Sequence, residues 1–182
     1  MRITRLYHSE KLKCGDTTQL DASASNHLVR VLRSKPGTLV TLFNGDGFDY
    51  QCKTIDTDPK KTSVSIESRA KINNESNISI TLIQGLSRQD RMEATIQKSV
   101  ELGVNRIIPA TCQRSNYKLT KDKTLKKLEH WRKVAISACE QSGRCAIPEI
   151  TEITTLDELN PLLDPDALKL NLYPTADKSL HD

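Results

Sequence analysis

The sequence predicts an α+β protein of two units, a small β-barrel followed by an α/β domain. Three observations carry this. Short alternating or β-branched runs separated by turn residues occupy residues 1–72. Beyond them, apolar runs alternate with stripes of helical period. Between the two rhythms lies a polar, turn-forming segment, Lys71-Ile72-Asn73-Asn74-Glu75-Ser76-Asn77. The boundary is placed there, giving domains at residues 1–72 and 73–182.

In the first unit, strands are predicted at Met1–Leu6, Leu39–Asn44, Phe48–Thr54 and Thr62–Ala70. Pro36-Gly37, Asn44-Gly45-Asp46-Gly47 and Asp58-Pro59 supply the turns. Ser25–Arg33 is the one helical stretch, with Leu28, Val31 and Leu32 on its apolar face. In the second unit, Ile78–Gln84 reads as a strand and Arg91–Leu102 as a helix striped by Met92, Ile96 and Val100 and stopped at Gly103. Arg106–Ala110 follows as a short buried strand, which makes a βαβ unit and a parallel sheet. A longer helix spans Lys121–Ser142, with Leu125, Leu128, Trp131, Ala135, Ala138 and Cys139 as its stripe and Gly143 as its stop. Leu168–Tyr173 is the next predicted strand. It ends at Pro174, where a ligand loop of an open α/β sheet would begin. Eight residues follow, too few for a covering helix, so the chain reads as cut short.

Composition narrows the class. The 182 residues carry 27 Lys and Arg against 23 Asp and Glu, and 36% are apolar. No apolar run approaches the roughly 18–20 residues of a membrane span. The N-terminus lacks a signal-peptide core. A soluble, cytoplasmic protein without a membrane partner is expected. The charge is uneven, at +4 for residues 1–72, +6 for 73–145 and −6 for 146–182, which suggests one basic face or ordinary solvated cations. Five scattered cysteines form no metal-binding spacing and are expected as quiet, small buried or half-buried thiols, with no metal.

Nucleotide-hydrolase, serine-hydrolase and zinc-protease signatures are absent. The segment His27-Leu28-Val29-Arg30-Val31-Leu32-Arg33-Ser34-Lys35 is the sharpest feature of the first unit. At α-helical spacing His27, Arg30 and Arg33 share a face, and guanidinium forks match phosphate oxygens. His27, Arg30, Arg33 and Lys35 are therefore the candidate RNA-binding residues; a plain amphipathic helix with a wet basic side is the alternative. Glu93, Gln97 and Glu101 form a polar line on the first long helix, either solvated or facing a site. Arg144 follows the second, where it suits the helix dipole. Arg114-Ser115 lies at the end of a strand, and Lys118, Lys121, Lys123, Lys126 and Lys127 cluster beyond it as a phosphate track or a solvated helix start.

Taken together, His27–Arg33, Phe43–Gly47, Gln84-Gly-Leu-Ser-Arg-Gln-Asp-Arg-Met-Glu93, Ile96-Gln-Lys-Ser-Val-Glu-Leu-Gly103, Arg114-Ser115, Trp131 and Glu140-Gln-Ser-Gly-Arg144 resemble the RsmE family across residues 1 to about 174. These are SPOUT-class 16S ribosomal RNA (uracil-N3)-methyltransferases. The resemblance implies a PUA-like β-barrel for RNA followed by a SPOUT α/β domain with a trefoil knot. It further implies a homodimer, S-adenosylmethionine as cofactor, and methylation of a uridine N3 in 16S rRNA of the small ribosomal subunit. By likeness, Glu93, Gln97, Glu101, Arg114 and Arg144 are candidates for the cleft, of which Glu93, Arg114 and Arg144 are the catalytic candidates. Leu172, Tyr173 and Pro174 are the cofactor-side positions. The family's Gly-Pro-Glu-Gly-Gly and Leu-Gly-x-Arg-x-Leu-Arg-x-Glu-Thr segments, which form the knot and most of the cofactor pocket, do not occur in this sequence. Weak or absent methylation by this chain is the resulting expectation, with a non-catalytic rRNA-binding protein or fragment as the alternative.

Overall fold

The structure is a computed structural model that describes residues 3–112 and 120–172. Its first sheet has five strands: β1 (Thr4–Tyr7), β2 (Thr17–Gln19), β3 (Leu39–Phe43), β4 (Phe48–Thr54) and β5 (Ser63–Lys71), in the order β1-β3-β4-β5-β2. β1 pairs parallel with β3; the other pairs are antiparallel. The two edge strands are tied by side chains, with His8 Nε2 and Thr18 Oγ1 3.1 Å apart. Leu6, Leu20, Leu28, Val40, Leu42, Tyr50 and Val64 fill the interior. The β3–β4 hairpin turns on Gly45 and Gly47, at φ of 95° and 88°. The Asp46 carboxylate accepts from the Phe48 amide at 3.1 Å and the Tyr50 hydroxyl at 2.7 Å.

The helical stretch differs from its sequence reading. A short helix, α1 (Ala22–Asn26), is capped by the Asp21 side chain, which accepts from the Ala24 amide at 2.8 Å. A π turn over His27–Val31 follows. Leu28 is fully buried, whereas Val31 and Leu32 are 62% and 43% exposed rather than part of the core face. Hydrogen bonds five residues apart displace the α-helical register, so these two side chains swing outward.

The second sheet is parallel. β6 (Thr81–Gly85) pairs with β7 (Arg106–Thr111), whose other side receives β8 (Glu149–Ile150) and β9 (Thr154–Thr155). The Thr151 amide donates to the Ile107 carbonyl on that side, so residues 107, 109 and 111 face it. Pro109 has no amide to offer there, and the neighbouring strand breaks opposite it, between β8 and β9. Helices α2 (Gln89–Glu101) and α3 (Lys121–Ser142) pack together over one core. Met92, Ile96 and Val100 meet Leu128, Trp131, Ala135, Ala138 and Cys139, with Ile107 and Ile150 beneath. Leu125, expected in this stripe, is 55% exposed, and the buried stripe of α3 begins one turn later at Leu128. Gly103 and Gly143, at φ of 94° and 81°, end the two helices as expected.

The strand expected over Leu168–Tyr173 does not form among its described residues, 168–172. Residues 168–172 pair with none of the described strands, and Leu168, Leu170 and Leu172 are 84%, 61% and 80% exposed. Among the described residues its apolar alternation finds neither a ladder partner nor a core, and a lone strand is unstable in water. The thiols are also redistributed. Cys52, Cys139 and Cys145 are buried, but Cys14 and Cys112 are exposed. Burial pushes Cys52 and Cys145 up to about 12 and Cys139 to about 11, so these three stay protonated and unreactive. Among the described residues no helix is long and apolar enough to cross a membrane.

Candidate functional site

On the barrel, Arg30, Arg33 and Lys35 are exposed, and His27 is exposed at the mouth of a cleft. The expected common face of His27, Arg30 and Arg33 depended on α-helical spacing, and it is corrected here. The Leu32 amide donates to the His27 carbonyl at 3.0 Å and the Ser34 amide to Leu28 at 2.9 Å. Arg33, at φ 53°, is the one described non-glycine residue in the left-handed region. That conformation costs about 1–2 kcal/mol and turns the chain sharply after the π turn. The cations thus surround a bend capped by exposed Val31 and Leu32. Lys35 sits in the next turn, its carbonyl accepting from the Thr38 and Thr54 hydroxyls at 2.6 and 2.7 Å.

The barrel and the α/β half are joined through Arg5. Its guanidinium donates to Asp49 at 2.9 Å and to the carbonyls of Cys139 and Arg144 at 2.7 and 3.0 Å. It also lies over the Phe43 ring, 3.7 Å from the centroid. The Cys145 thiol bridges Arg5 and Asp49, accepting at 3.0 Å and donating at 3.1 Å. Phe43 belongs to the α2–α3 core although it lies on a barrel strand. No local sequence signal marks Arg5 or Asp49, because their partners are 44 to 140 positions away.

Beside this clamp, β1, α1 and α3 enclose a cleft of ≈ 990 Å³. Glu140 stands in it, half-buried, accepting from the Tyr7 amide at 3.0 Å. Burial raises its carboxyl above the ordinary range, against the opposing pull of the Tyr7 hydrogen bond. A carboxyl raised in the fold favours the protonated native state. Its contribution is therefore present at low pH and lost as pH climbs from the ordinary carboxylate range through the raised value. Glu140→Gln is expected to remove that loss, so the variant gains on the wild type as pH rises above the ordinary carboxylate range of about 4 in urea titrations. A wild-type–variant gap that does not change with pH would count against it.

The two described catalytic candidates, Glu93 and Arg144, lie apart. Glu93, near the start of α2, is paired with His130 of α3 at 2.8 Å, and its carboxyl is lowered chiefly by that hydrogen bond. Gln97 and Lys98 both donate to Glu101, at 3.1 and 2.7 Å, on the exposed helix face. Arg144 lies at the far end of both helices and is 4% exposed. It donates through Nη1 to the Val100 and Val104 carbonyls at 2.8 and 2.9 Å, and through Nε and Nη2 to Glu75 at 3.1 and 2.6 Å. Its donors close the C-terminal end of α2 and grip the inter-sheet segment, so it is placed as a clamp. Glu75 was read only as part of a polar linker. Arg114, Lys118, Tyr173 and Pro174 lie outside the described residues.

The carboxyl ends of β6 and β7 lie at the opposite end of the sheet from Arg144. There the Leu86 amide donates to Ala110 at 2.8 Å, and a Cβ on Gly85 would meet the Cys112 sulfur at 3.3 Å. Arg88 and Arg91 are exposed at the start of α2. Leu172, the described cofactor-side position, is 80% exposed.

A family model described as an RNA methyltransferase domain matches residues 74–182, and one described as an RNA methyltransferase PUA domain matches residues 20–67. The ribosomal RNA small subunit methyltransferase E of Bacillus subtilis is 30% identical over 150 residues, 82% of this chain. The chain belongs to the RsmE family. It spans 59% of the length of that Bacillus relative. Among solved structures, a Legionella pneumophila protein described as a methyltransferase, in complex with S-adenosylmethionine, matches with a TM-score of 0.93 and 36% identity. That match covers all of this chain and 74% of the other. The Neisseria gonorrhoeae ribosomal RNA small subunit methyltransferase E, bound to S-adenosylmethionine, gives 0.80 at 37% identity, covering 85% and 63%. The fold is accordingly that of the family, a PUA-like barrel followed by a SPOUT α/β domain.

Proposed function

We propose that this protein methylates N3 of a uridine in 16S ribosomal RNA of the small subunit, with S-adenosylmethionine as methyl donor. It acts in the cytoplasm as a homodimer. Residues 1–72 serve as the RNA-holding barrel and 73–182 as the methyltransferase half. The observation that carries the reading is the likeness over the whole chain to a structure solved with S-adenosylmethionine. Among the described residues, Glu93 and Arg144 are held by His130 and Glu75 and take no assigned chemical step. What the described residues supply is RNA placement, through His27, Arg30, Arg33 and Lys35 on the exposed bend of the barrel.

A second reading, a non-catalytic rRNA-binding protein, is favoured by the exposed cations Arg30, Arg33 and Lys35 gathered at the bend of the barrel. Transfer of a labelled methyl group from S-adenosylmethionine to undermethylated small subunits separates the two, with the Bacillus subtilis relative as positive control. Transfer by this chain supports the enzyme. RNA binding without transfer supports the second reading.

Arg30→Ala with Arg33→Ala is expected to weaken RNA binding and flatten its salt dependence. Each lost phosphate contact removes about 0.7 from the slope of log affinity against log salt for a single strand, hence about 1.4 for the pair. An unchanged slope in a filter-binding titration would remove the bend from the interface.

A further inference from the structure

The cleft between β1, α1 and α3 has features that phosphate binding does not use. Its ≈ 990 Å³ is large enough for a nucleotide, at the upper end of the roughly 300–1,000 Å³ usual for small-molecule pockets. Apolar side chains face it from both sides, Leu32 from the barrel and Ile136 from α3. Leu32 is 43% exposed in a position where the sequence called for a core residue. At the lip stand two groups able to meet a sugar-phosphate chain, His27 and Lys133, next to the Arg30–Lys35 bend; Lys133 is exposed and paired with Glu129 at 2.8 Å, a surface pair that a phosphate can displace.

The floor is a hydrogen-bonding edge. The His8 amide donates to the Phe43 carbonyl, so along β1 the main-chain groups of Leu6 and His8 face β3. Those of Arg5 and Tyr7 face the other way, towards α3, as the Tyr7 amide bonded to Glu140 shows. Glu140 Oε1 takes that amide, which fixes the carboxylate in place; no further hydrogen bond holds Oε2 among the described residues. An oriented carboxylate beside a main-chain edge, between two apolar walls and next to the basic Arg30–Lys35 bend, is suited to a flat ligand with adjacent N–H donors and a phosphate tail.

We infer that this cleft receives one unstacked RNA base, guanine above all, with the Glu140 carboxylate accepting from its N1–H and N2–H edge. The inference rests on the RNA-binding reading above and adds a base-specific subsite to it. Guanine presents two neighbouring donors to a carboxylate. Uracil presents one donor between two carbonyl oxygens, which the carboxylate repels. Leu32 and Ile136 hold the faces of the base, and Lys133 and His27 meet its backbone.

The test is fluorescence anisotropy with two labelled single-stranded RNAs, a uridine decamer and the same decamer with one central guanine. The wild-type chain is expected to bind the guanine-bearing strand about tenfold more tightly. Glu140→Gln should bring the ratio of the two affinities to about one, and Ser137→Trp, which fills the cleft from the exposed face of α3, should do the same. Arg30→Ala with Arg33→Ala should weaken both strands alike and keep the ratio. Equal affinity for the two strands in the wild type, or a ratio that survives both cleft variants, would overturn the subsite while leaving RNA binding intact. Failure of the wild type to bind either strand would instead bring down the RNA-binding reading itself.

Discussion

Replacing Arg144 with alanine is expected to destabilise the protein by about 3 kcal/mol, the lower end of the range for breaking a buried ion pair. Arg144 is almost fully buried, whereas the Glu75 side chain keeps 27% of its exposure and is partly rehydrated once its partner is gone. The same substitution removes the donors to the Val100 and Val104 carbonyls, leaving the end of α2 open. Urea unfolding followed by Trp131 fluorescence reads this directly, because Trp131 is the single tryptophan and sits in the same core. Arg144→Lys keeps the charge but cannot reach two carbonyls and a carboxylate at once, so it should recover only part of the loss. A residue serving substrate chemistry would behave differently: its alanine variant would keep wild-type stability and lose only methyl transfer. That result would return Arg144 to the catalytic candidates.

Arg5→Ala is expected to loosen the junction between the two sheets. The substitution removes hydrogen bonds to Asp49 and to the Cys139 and Arg144 carbonyls, together with the stacking on Phe43. Charged hydrogen bonds of this kind contribute about 1.5–3 kcal/mol each when measured singly, and they do not add. A loss of about 3 kcal/mol at the junction is therefore expected. Unfolding should then separate into two steps, one seen by Trp131 in the α/β half and one by hydrogen exchange of the barrel strands. Proteolysis within residues 71–77, which link the two sheets, should quicken. A single unshifted transition would mean that Phe43, Tyr7 and Ile72 hold the halves together by apolar contact alone.

Much of the fold was legible because its signals are local. The stripes of α2 and α3 repeat every three or four residues, and their glycine stops need positive φ, which few other residues adopt. The β4 run and the Asn44–Gly47 turn carry their own geometry in their residue types. β2, β8 and β9 were not legible. They are two or three residues long and owe their extended shape to a partner strand rather than to any alternation of their own. Leu168–Leu172 shows the converse, since an apolar alternation without a partner makes no strand.

The candidate site divides along the same line. From the sequence alone came the family, the change from a strand-rich to a helix–strand rhythm, and the basic segment His27–Lys35. Residue types and short spacings suffice for these. Only the tertiary structure turned Val31 and Leu32 outward, by substituting a π turn for an α turn. It also buried Arg144 against Glu75, 69 positions away, and set Glu140 against the edge of β1. A charged side chain's role is set by what neutralises it and by how much water remains around it. Both are decided by residues distant in sequence, so no local pattern can specify them.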